Sequence, residues 1–500
     1  MALTPHNGPR GDVRIVYVSD HNSDTRSVIA DDASATQLRR HVDMLADSGV
    51  DIFAQDVFQK QGVGWFWPQH PDHAHLGSDT DRIPREDGPP IAIAIDQSHK
   101  RGMKFLAVFR MADRHGGHGA ALIKKRKDLW NPDFPDHAAM DYTHDEIRDW
   151  VYALLDEIVR RFDVDGFEFT YTRHMHCFPL ATARDSHPIM TNFLRRVRQR
   201  LDEGSKQKGR RLMLGVRVPQ TLEECDALGY DIRTWAAEGL IDYVAPCDFF
   251  FTDFNAKFEQ FTQITRDTDC MVYPAVHPRV SHGNEVGIMT PANYRAAARN
   301  MYAAGADGIS QFNYQYHWGR RRSGYPWEVG NYPQGLSWLR QLRDDGAYDD
   351  LPRHYRFLPL WAGDAPTGFP KNDRIVLKRK AGSDGEYRFR IAEDVTAPGV
   401  AAELIVNTVS AQEDRLTFSL NGTPLSSGIK TRWQPQGRPK KFGRPMGPYN
   451  CTMIPLTSPP AVFGDNILRA EVAKLDANGK DDIVVEELEV TIVPPWKRRR

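Results

Sequence analysis

Cysteine is scarce in this 500-residue chain, and its few cysteines follow no pattern. The five are Cys177, Cys225, Cys247, Cys270 and Cys451. An odd number of widely spaced cysteines indicates neither a disulfide framework nor a zinc ribbon. The cysteine content is therefore typical of a protein from a reducing compartment.

Long apolar runs and an excess of one charge are also missing. No segment approaches the roughly 20 apolar residues of a membrane helix, and the N-terminus lacks the charged-then-apolar pattern of a signal peptide. Lysine and arginine number 65 against 66 aspartates and glutamates, so no general attraction to nucleic acid or membrane is indicated. We expect a cytoplasmic protein, or a secreted one if a signal was removed, with neither nucleic acid nor membrane as partner; homo-oligomers stay open.

Short apolar segments alternate with amphipathic helical patterns over the first 355 residues. The segments cover residues 13–20, 51–58, 103–113, 164–173, 211–219, 241–250, 270–278 and 306–317. Eight strands alternating with helices fit a (βα)8 TIM barrel. The rival, an open doubly wound sheet, normally has a glycine-rich phosphate loop after its first strand, and here that strand ends "VSDHNSDT". We predict an α/β fold with a catalytic barrel over residues 1–355.

From residue 356 the helical periodicity stops and short alternating segments follow, such as "GEYRFRIAED" and "AAELIVNTV". Asn421-Gly422 between two apolar runs predicts a hairpin turn. We predict that residues 356–500 form an antiparallel, jelly-roll-like β-sandwich that serves as an accessory domain.

Acids, cations and imidazoles collect where the predicted barrel strands end, which is where barrel enzymes place their active sites. They include Asp20, His21, Asp56, Arg110, Asp113, His115, His118, Glu168, Arg173, His174, His176, Arg217, Asp248, Asp253, His277 and His282, with Asn313, Tyr314 and His317 on the eighth strand. From these we expect the substrate-binding set to contain Asp56, Arg110, Arg173, His174, Arg217, His277, Asn313 and Tyr314.

Glu168 is an unusual residue for the middle of an apolar strand. Side chains alternate along a strand, so the large apolar residues 167, 169 and 171 suit the outer helices and Glu168 points into the barrel. A carboxylate there is either catalytic or a structural acid paired with Arg110 or Arg217. We favour catalysis, with Asp248 as its partner across the mouth, because glycosidases need two carboxyl groups about 5–9.5 Å apart.

Three acids, Asp20, Asp56 and Asp113, are less favoured partners for Glu168. For Asp248 itself, the structural alternative is an aspartate that caps a loop.

Tryptophans in the loops after the second and eighth strands support a carbohydrate ligand. Trp65, Trp67 and Trp318 offer flat apolar faces on which a sugar ring stacks, although loop tryptophans also serve to cover the barrel top. The run of arginines at 320–322 suits a glycan that carries carboxylate or sulfate groups, or is simply solvated.

The histidines raise the question of a metal. His174 and His176 flank Met175 and are expected on one strand face, with His115, His118 and His277 as further ligands. No HExxH or Cys-His signature accompanies them, and two histidines with one residue between are a weak signal. We expect neither a metal nor another cofactor.

The segments "VDGFEFTYTRHMHCFP", "GLIDYVAPCDFF" and "GADGISQFNYQY" resemble the family-10-like glycosyl hydrolases, over about residues 13–345. The resemblance implies a sugar-active TIM barrel in which Glu168 matches the acid of the fourth strand, and Arg173 and His174 match the basic pair that follows. The sequence departs from the family at Thr170, where a second acid is common. The C-terminal "FGDNILRAEV" is similar to strands of glycosidase jelly-roll modules.

Three functions compete. The first is a glycoside hydrolase for a poly- or oligosaccharide, including acidic ones, with Glu168 as nucleophile or stabilising carboxylate and Asp248 as general acid/base. The second is a polysaccharide lyase that uses tyrosine, histidine and arginine. The third is a barrel that binds glycan without turning it over, which the threonine at position 170 would permit. We favour the hydrolase.

Overall fold

The computed structural model describes most of the chain. The described residues are 9–21, 24, 33–77, 79–115, 121–172, 174–248, 251–280, 289–314, 333–344, 349–357, 375–433, 448–457 and 459–495. No helix among them is both long and apolar enough to cross a membrane.

The first part of the chain forms a curled parallel sheet. Its strands are β1 (Ile15–Ser19), β2 (Ile52–Gln59), β4 (Lys104–Arg110), β5 (Gly166–Thr170), β6 (Met213–Pro219), β7 (Tyr243–Cys247), β8 (Met271–Val272), β9 (Ala275–Val276) and β10 (Ile309–Phe312). Their order is β8-β7-β6-β5-β4-β2-β1-β10-β9. The short β3 (Gly62–Val63) pairs antiparallel with the end of β2. Each segment that the sequence predicted as a strand contains one, and the seventh contains two.

Helices follow most of these strands. Their bounds are Ala35–Asp47, Pro90–Lys100, Ala121–Lys125, Asp145–Arg161, His187–Lys208, Leu222–Ala227, Ile232–Ala237, Glu259–Ile264, Pro291–Ala303 and Ser337–Arg340. Single 3-10 turns cover Asp79–Arg82, Arg85–Asp87, Lys127–Leu129, Pro135–His137, Arg184–Ser186, Gln334–Leu336 and Gln341–Arg343.

Local sequence explains both ends of the helices Ala35–Asp47 and Pro291–Ala303. Ser34 and Thr290 are N-caps, and their side chains accept from the backbone N–H of Gln37 and Asn293. Gly49 and Gly305 follow the C-caps with φ of +82° and +90°, a conformation that favours glycine.

The sheet separates two sets of side chains. One set is apolar and lies inside the curl: Val16, Val18, Ile52, Ala54, Leu106, Val108, Tyr243, Ala245, Tyr273 and Phe312. The other faces the helices and belongs to the main hydrophobic core, where Phe167 and Phe169 of β5 and Tyr171 just after it lie. The alternation around Glu168 is therefore as predicted.

Strand β2 contains a bulge beside the polar residues at its end. Its register with β4 shifts between Asp56 and Phe58, so that Val57 and Phe58 both join the outer core while Asp56 is aimed inward. Bulges re-aim side chains in this way and are common beside functional sites.

The C-terminal part forms two antiparallel sheets. One has the order β11-β20-β14-β18-β17, with β12 beside β20, and the other the order β13-β19-β15-β16. Their strands are β11 (Arg353–Phe357), β12 (Ile375–Leu377), β13 (Asp384–Ile391), β14 (Ala401–Val409), β15 (Arg415–Leu420), β16 (Thr423–Pro424), β17 (Ile429–Trp433), β18 (Tyr449–Pro455), β19 (Gly464–Lys474) and β20 (Ile483–Val493). The predicted hairpin at Asn421-Gly422 joins β15 to β16.

Candidate active site

Glu168 lies in the middle of β5 and is fully buried. Arg217 on β6 donates to it from Nε at 3.0 Å and from Nη2 at 3.4 Å, and the hydroxyl of Tyr243 on β7 donates at 2.8 Å. Thr170 donates a further hydrogen bond at 3.2 Å. Both carboxylate oxygens are thus engaged, and of the two sequence interpretations the structure displays the ion pair with Arg217.

This network is held inside the curled sheet. Arg217 is itself 0% exposed, donates from Nη2 to Ser310 Oγ at 2.7 Å and lies 5.2 Å from the ring of Phe312. Burial alone would lower the pKa of Arg217, but the charge of Glu168 raises it above the ordinary value. Burial, together with Glu168, raises the pKa of the Tyr243 hydroxyl well above its usual range, so this hydroxyl stays a donor.

A second ion cluster forms around Arg110 at the end of β4. Its guanidinium contacts Asp20, which follows β1, and its Nε lies 2.5 Å from Oδ2 of Asp56 on β2. Nη1 donates to Gln59 Oε1 at 3.4 Å. The side chains of Arg110 and Asp56 are 5% and 2% exposed, whereas that of Asp20 is 17% exposed. Arg110 therefore binds two aspartates and is not the partner of Glu168.

A third cluster joins Asp113, His115 and His174. Nδ1 of His115 contacts Oδ1 of Asp113, and Nδ1 of His174 lies 3.7 Å from the same oxygen. Burial alone would raise the pKa of Asp113, but the hydrogen bond from His115 and the nearby cations hold it below its usual range. The backbone of His174 and Met175 is left-handed, with φ of +78° and +64°, a conformation that costs energy in residues other than glycine.

His176 does not join His174 on one face, which corrects the expectation from the sequence. The left-handed turn at positions 174 and 175 separates the two imidazoles. The ring of His176 lies 4.8 Å from that of Phe134, and its Nδ1 is 2.7 Å from the carbonyl of His174. Burial lowers the pKa of His176 to about 4, so its imidazole is neutral near pH 7.

Three further predicted residues lie at the ends of other strands: Asp248 follows β7, His277 follows β9 and Asn313 follows β10. Asp248 is half-buried and comes directly after Cys247. Nδ2 of Asn313 donates to Nε2 of His277 at 3.1 Å, and both side chains are buried. Asn313 has a φ of +58°, so the end of β10 also turns through left-handed backbone.

Two aromatic residues of the predicted binding set lie in the core instead. Trp65 is 0% exposed because its loop folds inward and its indole N–H donates to the carbonyl of His21 at 3.0 Å. Tyr314 donates to the carbonyl of Gly335 at 2.5 Å and packs against Tyr17, a residue of the outer core. Neither ring is offered to a ligand. Trp67 is half-buried, with Arg85 4.3 Å above its ring.

The predicted Arg173 and Trp318 lie outside the described residues, as do His118, His282, His317 and the arginines at 320–322.

Lys60 and Tyr243 were missed by the sequence analysis. Lys60 follows β2, is fully buried, and donates from Nζ to the carbonyl of His137. Burial lowers its pKa, while the charge of Asp113 acts in the opposite direction. Lys60 could have been found as a lysine at the carboxyl end of the apolar run "IFAQDVFQK". Tyr243 could have been found from its alternation with Ala245, which places its phenol inside the curled sheet.

The acids at this edge differ in access. Glu168, Asp56 and Asp113 are buried, whereas Asp20 and Asp248 keep some exposure. Asp253 is also half-exposed, but its carboxylate accepts from the side chain of Gln220 at 2.9 Å and from the backbone of Asn255 at 2.8 Å. Asp20, Asp248 and Asp253 are therefore the strand-end acids, among those that the structure describes, that are only partly buried at this edge.

No family model matches the chain, and no curated protein matches it. Among solved structures, it is similar to an α-L-fucosidase from Paenibacillus thiaminolyticus, with 15% identity over 66% of this chain and 49% of that one and a TM-score of 0.42. A maltogenic α-amylase from Thermotoga neapolitana shares 12% identity over 95% and 98% of the two chains, with a TM-score of 0.39. An endo-1,4-β-mannanase from Rhizomucor miehei shares 11% identity over 61% and 89%, with a TM-score of 0.41. The chain spans about half the length of the fucosidase. These structures are glycoside hydrolases, and similarities of this size assign the chain to none of their families.

Proposed function

We propose that this protein is a glycoside hydrolase that cleaves a poly- or oligosaccharide at the carboxyl ends of its parallel strands. The observation that carries the proposal is the concentration of buried charge at that one edge. Arg110 lies between two aspartates, and the Glu168–Arg217 pair lies among residues that are otherwise apolar. Burying a charge is costly. Buried charges that collect at the functional edge of a parallel sheet are therefore typical of active sites.

The proposal includes a closed eight-stranded barrel. The two ends of the sheet, β8 and β9, are separated by only Tyr273 and Pro274. The backbone of Tyr273 donates to Val244 on β7, and Ser310 on β10 donates to the carbonyl of Pro274, at 2.9 and 3.0 Å. These bonds support one interrupted strand that links both edges. The two antiparallel sheets would then form the β-sandwich accessory domain. Because β11 begins at Arg353, this domain would start at about residue 353 and not at residue 356.

Asp248 and Asp20 are the proposed reacting carboxylates. Asp248 serves as general acid/base, the role that the sequence analysis gave it. Asp20 is ion-paired with Arg110, an arrangement that suits a carboxylate acting in its ionised form as base or nucleophile. Glu168 is enclosed by Arg217, Tyr243 and Thr170, so we reassign it from nucleophile to positioning residue for Arg217.

Substrate hydroxyl groups would form hydrogen bonds with His174, His277 and Asn313, and Trp67 would lie at the rim of the site. Arg173 and Trp318 stay in the proposed binding set from the sequence alone.

The test is hydrolysis of a panel of aryl glycosides and oligosaccharides by the full-length chain and two variants. Asp248→Asn and Asp20→Asn should each lower kcat by at least about a hundredfold, the usual size of a general acid/base contribution. Asp267→Asn is the control, because Asp267 is exposed and precedes β8 at the opposite edge of the sheet. Unchanged turnover in both site variants would refute these roles. Products with a new unsaturated bond would indicate a lyase instead.

A further inference from the structure

We propose that Asp113, His115 and His174 bind a divalent transition-metal ion of the zinc class. One ligand atom from each residue can be chosen so that the three atoms all lie within 4.8 Å of one another. They come from two loops, since Asp113 and His115 lie in the loop after β4 and His174 lies in the loop after β5. Strands β4 and β5 are neighbours in the sheet, so their carboxyl ends bring these loops together.

The state of Asp113 is an independent sign that the cluster takes a ligand. Its side chain is 0% exposed, and Oδ1 is directed at His115 and His174. The other oxygen, Oδ2, is buried and has no hydrogen-bond partner among the described residues. A buried carboxylate oxygen that lacks a partner is costly. A cation bound by both carboxylate oxygens would remove that cost.

The donor set selects the kind of metal. Two imidazoles and one carboxylate suit Zn²⁺ and its first-row neighbours, whereas Mg²⁺ and Ca²⁺ prefer oxygen ligands throughout. Three protein ligands leave at least one coordination position open. In a sugar-active protein, a hydroxyl or carboxylate oxygen of the glycan could occupy that position.

Hydrogen bonds within the cluster must rearrange when the metal enters. Because a ligand atom must be free of protons, the proton between His115 Nδ1 and Asp113 Oδ1 has to move: an imidazolium releases it to solvent, and a neutral imidazole carries its proton on Nε2 instead. His174 Nδ1 accepts from the backbone N–H of Arg114 at 3.0 Å, so its proton is on Nε2. Metal binding through Nδ1 displaces that hydrogen bond, and binding through Nε2 moves the proton to Nδ1 and breaks it as well. The nearby cation Arg110 opposes metal entry little, because Asp20 and Asp56 already neutralise it.

The experiment measures metal binding and requires no turnover. Full-length protein is freed of metal with a chelator, and one sample is titrated with ZnCl2 by calorimetry. A second metal-free sample receives CoCl2, whose visible absorption reports the ligand field. We expect one equivalent of Zn²⁺, with affinity at least about tenfold weaker in His115→Ala and in His174→Ala. His115 is part-exposed, so His115→Ala keeps the test valid if changes at the buried Asp113 prevent folding.

His144→Ala is the matched control and should bind like wild type. His144 lies outside the cluster, 3.8 Å from Asp141. Absence of stoichiometric binding, or equal affinity in all three variants, would overturn the proposal. Because binding is measured without substrate, this failure is distinct from a failure of the proposed hydrolase.

Discussion

At the scale of single residues, alternation along β5 predicted which way each side chain points but not which atoms it meets. Glu168 faces inward as expected. Its partners Arg217 and Tyr243 come from the next two strands, and only the register of β5, β6 and β7 brings them together. Sequence spacing contains no information on that register. The sequence therefore left both Arg110 and Arg217 as partners for Glu168, and only the fold shows that the partner is Arg217.

Replacing Glu168 with glutamine should destabilise the protein more than it affects turnover per folded molecule. Glutamine has the shape of glutamate but no charge, so Arg217 would stay buried and unpaired. Breaking a buried ion pair in this way costs about 3–5 kcal/mol. Chemical denaturation of the variant should show this loss of unfolding free energy.

The double variant Glu168→Gln/Arg217→Met is the internal control, because it removes both charges and should recover part of the loss. Glu223→Gln, at an exposed glutamate, should match wild type. A Glu168→Gln protein that is fully stable yet inactive would restore the catalytic role that the sequence first suggested.

At the scale of elements, strands were predicted well and loop side chains were not. Strands obey a two-residue period and helices begin at N-capping residues such as Ser34 and Thr290, so local sequence determines both. Trp65 was expected at the rim but lies in the core. Its loop returns through β3, and its indole finds a carbonyl at His21. No local pattern distinguishes a tryptophan that covers a core from one that stacks on a sugar.

The hairpin between β15 and β16 offers a test of a local prediction. Asn421 and Gly422 have φ of +50° and +82°, the conformation of a two-residue type I′ turn. A Cβ at Gly422 would contact nothing within 4 Å, so Gly422→Ala changes only backbone strain. We expect a loss of about 1 kcal/mol of unfolding free energy.

The matched control for this change is Gly77→Ala. Gly77 is exposed and lies outside the positive-φ region, and an alanine Cβ at this position would lie 3.8 Å from its nearest contact, Oδ2 of Asp81. In thermal denaturation, the melting temperature of this variant should equal that of wild type. Equal melting temperatures for both variants would show that the turn does not impose the left-handed backbone.

At the scale of the whole molecule, a polar seam joins loops and helices of the first part to the C-terminal sheets. Asn255 donates to the carbonyl of Arg388 at 2.9 Å and accepts from the backbone of Arg390 at 3.0 Å. The guanidinium of Arg390 is bound between Glu259 of the first part and Asp465 of the second. The change of sequence pattern near residue 356 predicted a boundary, but a boundary read from periodicity says nothing about how tightly the two sides are attached.

Asn300 is the residue of this seam whose removal should uncouple the two parts. Its amide donates to the carbonyls of Phe254 and Arg390, both at 2.9 Å, and its oxygen accepts from the backbone of Ala392 at 2.9 Å. Asn300→Ala leaves these backbone groups buried and unsatisfied, at about 1–3 kcal/mol for each group. Because two of the three lie on the C-terminal side, calorimetry should change from a single unfolding transition in wild type to two in the variant, with the C-terminal sheets melting first. Asn192→Ala, at an exposed asparagine on the helix His187–Lys208, should keep the wild-type profile. One unshifted transition in Asn300→Ala would mean that the remaining contacts, among them those of Asn255 and Arg390, are sufficient to hold the two parts together.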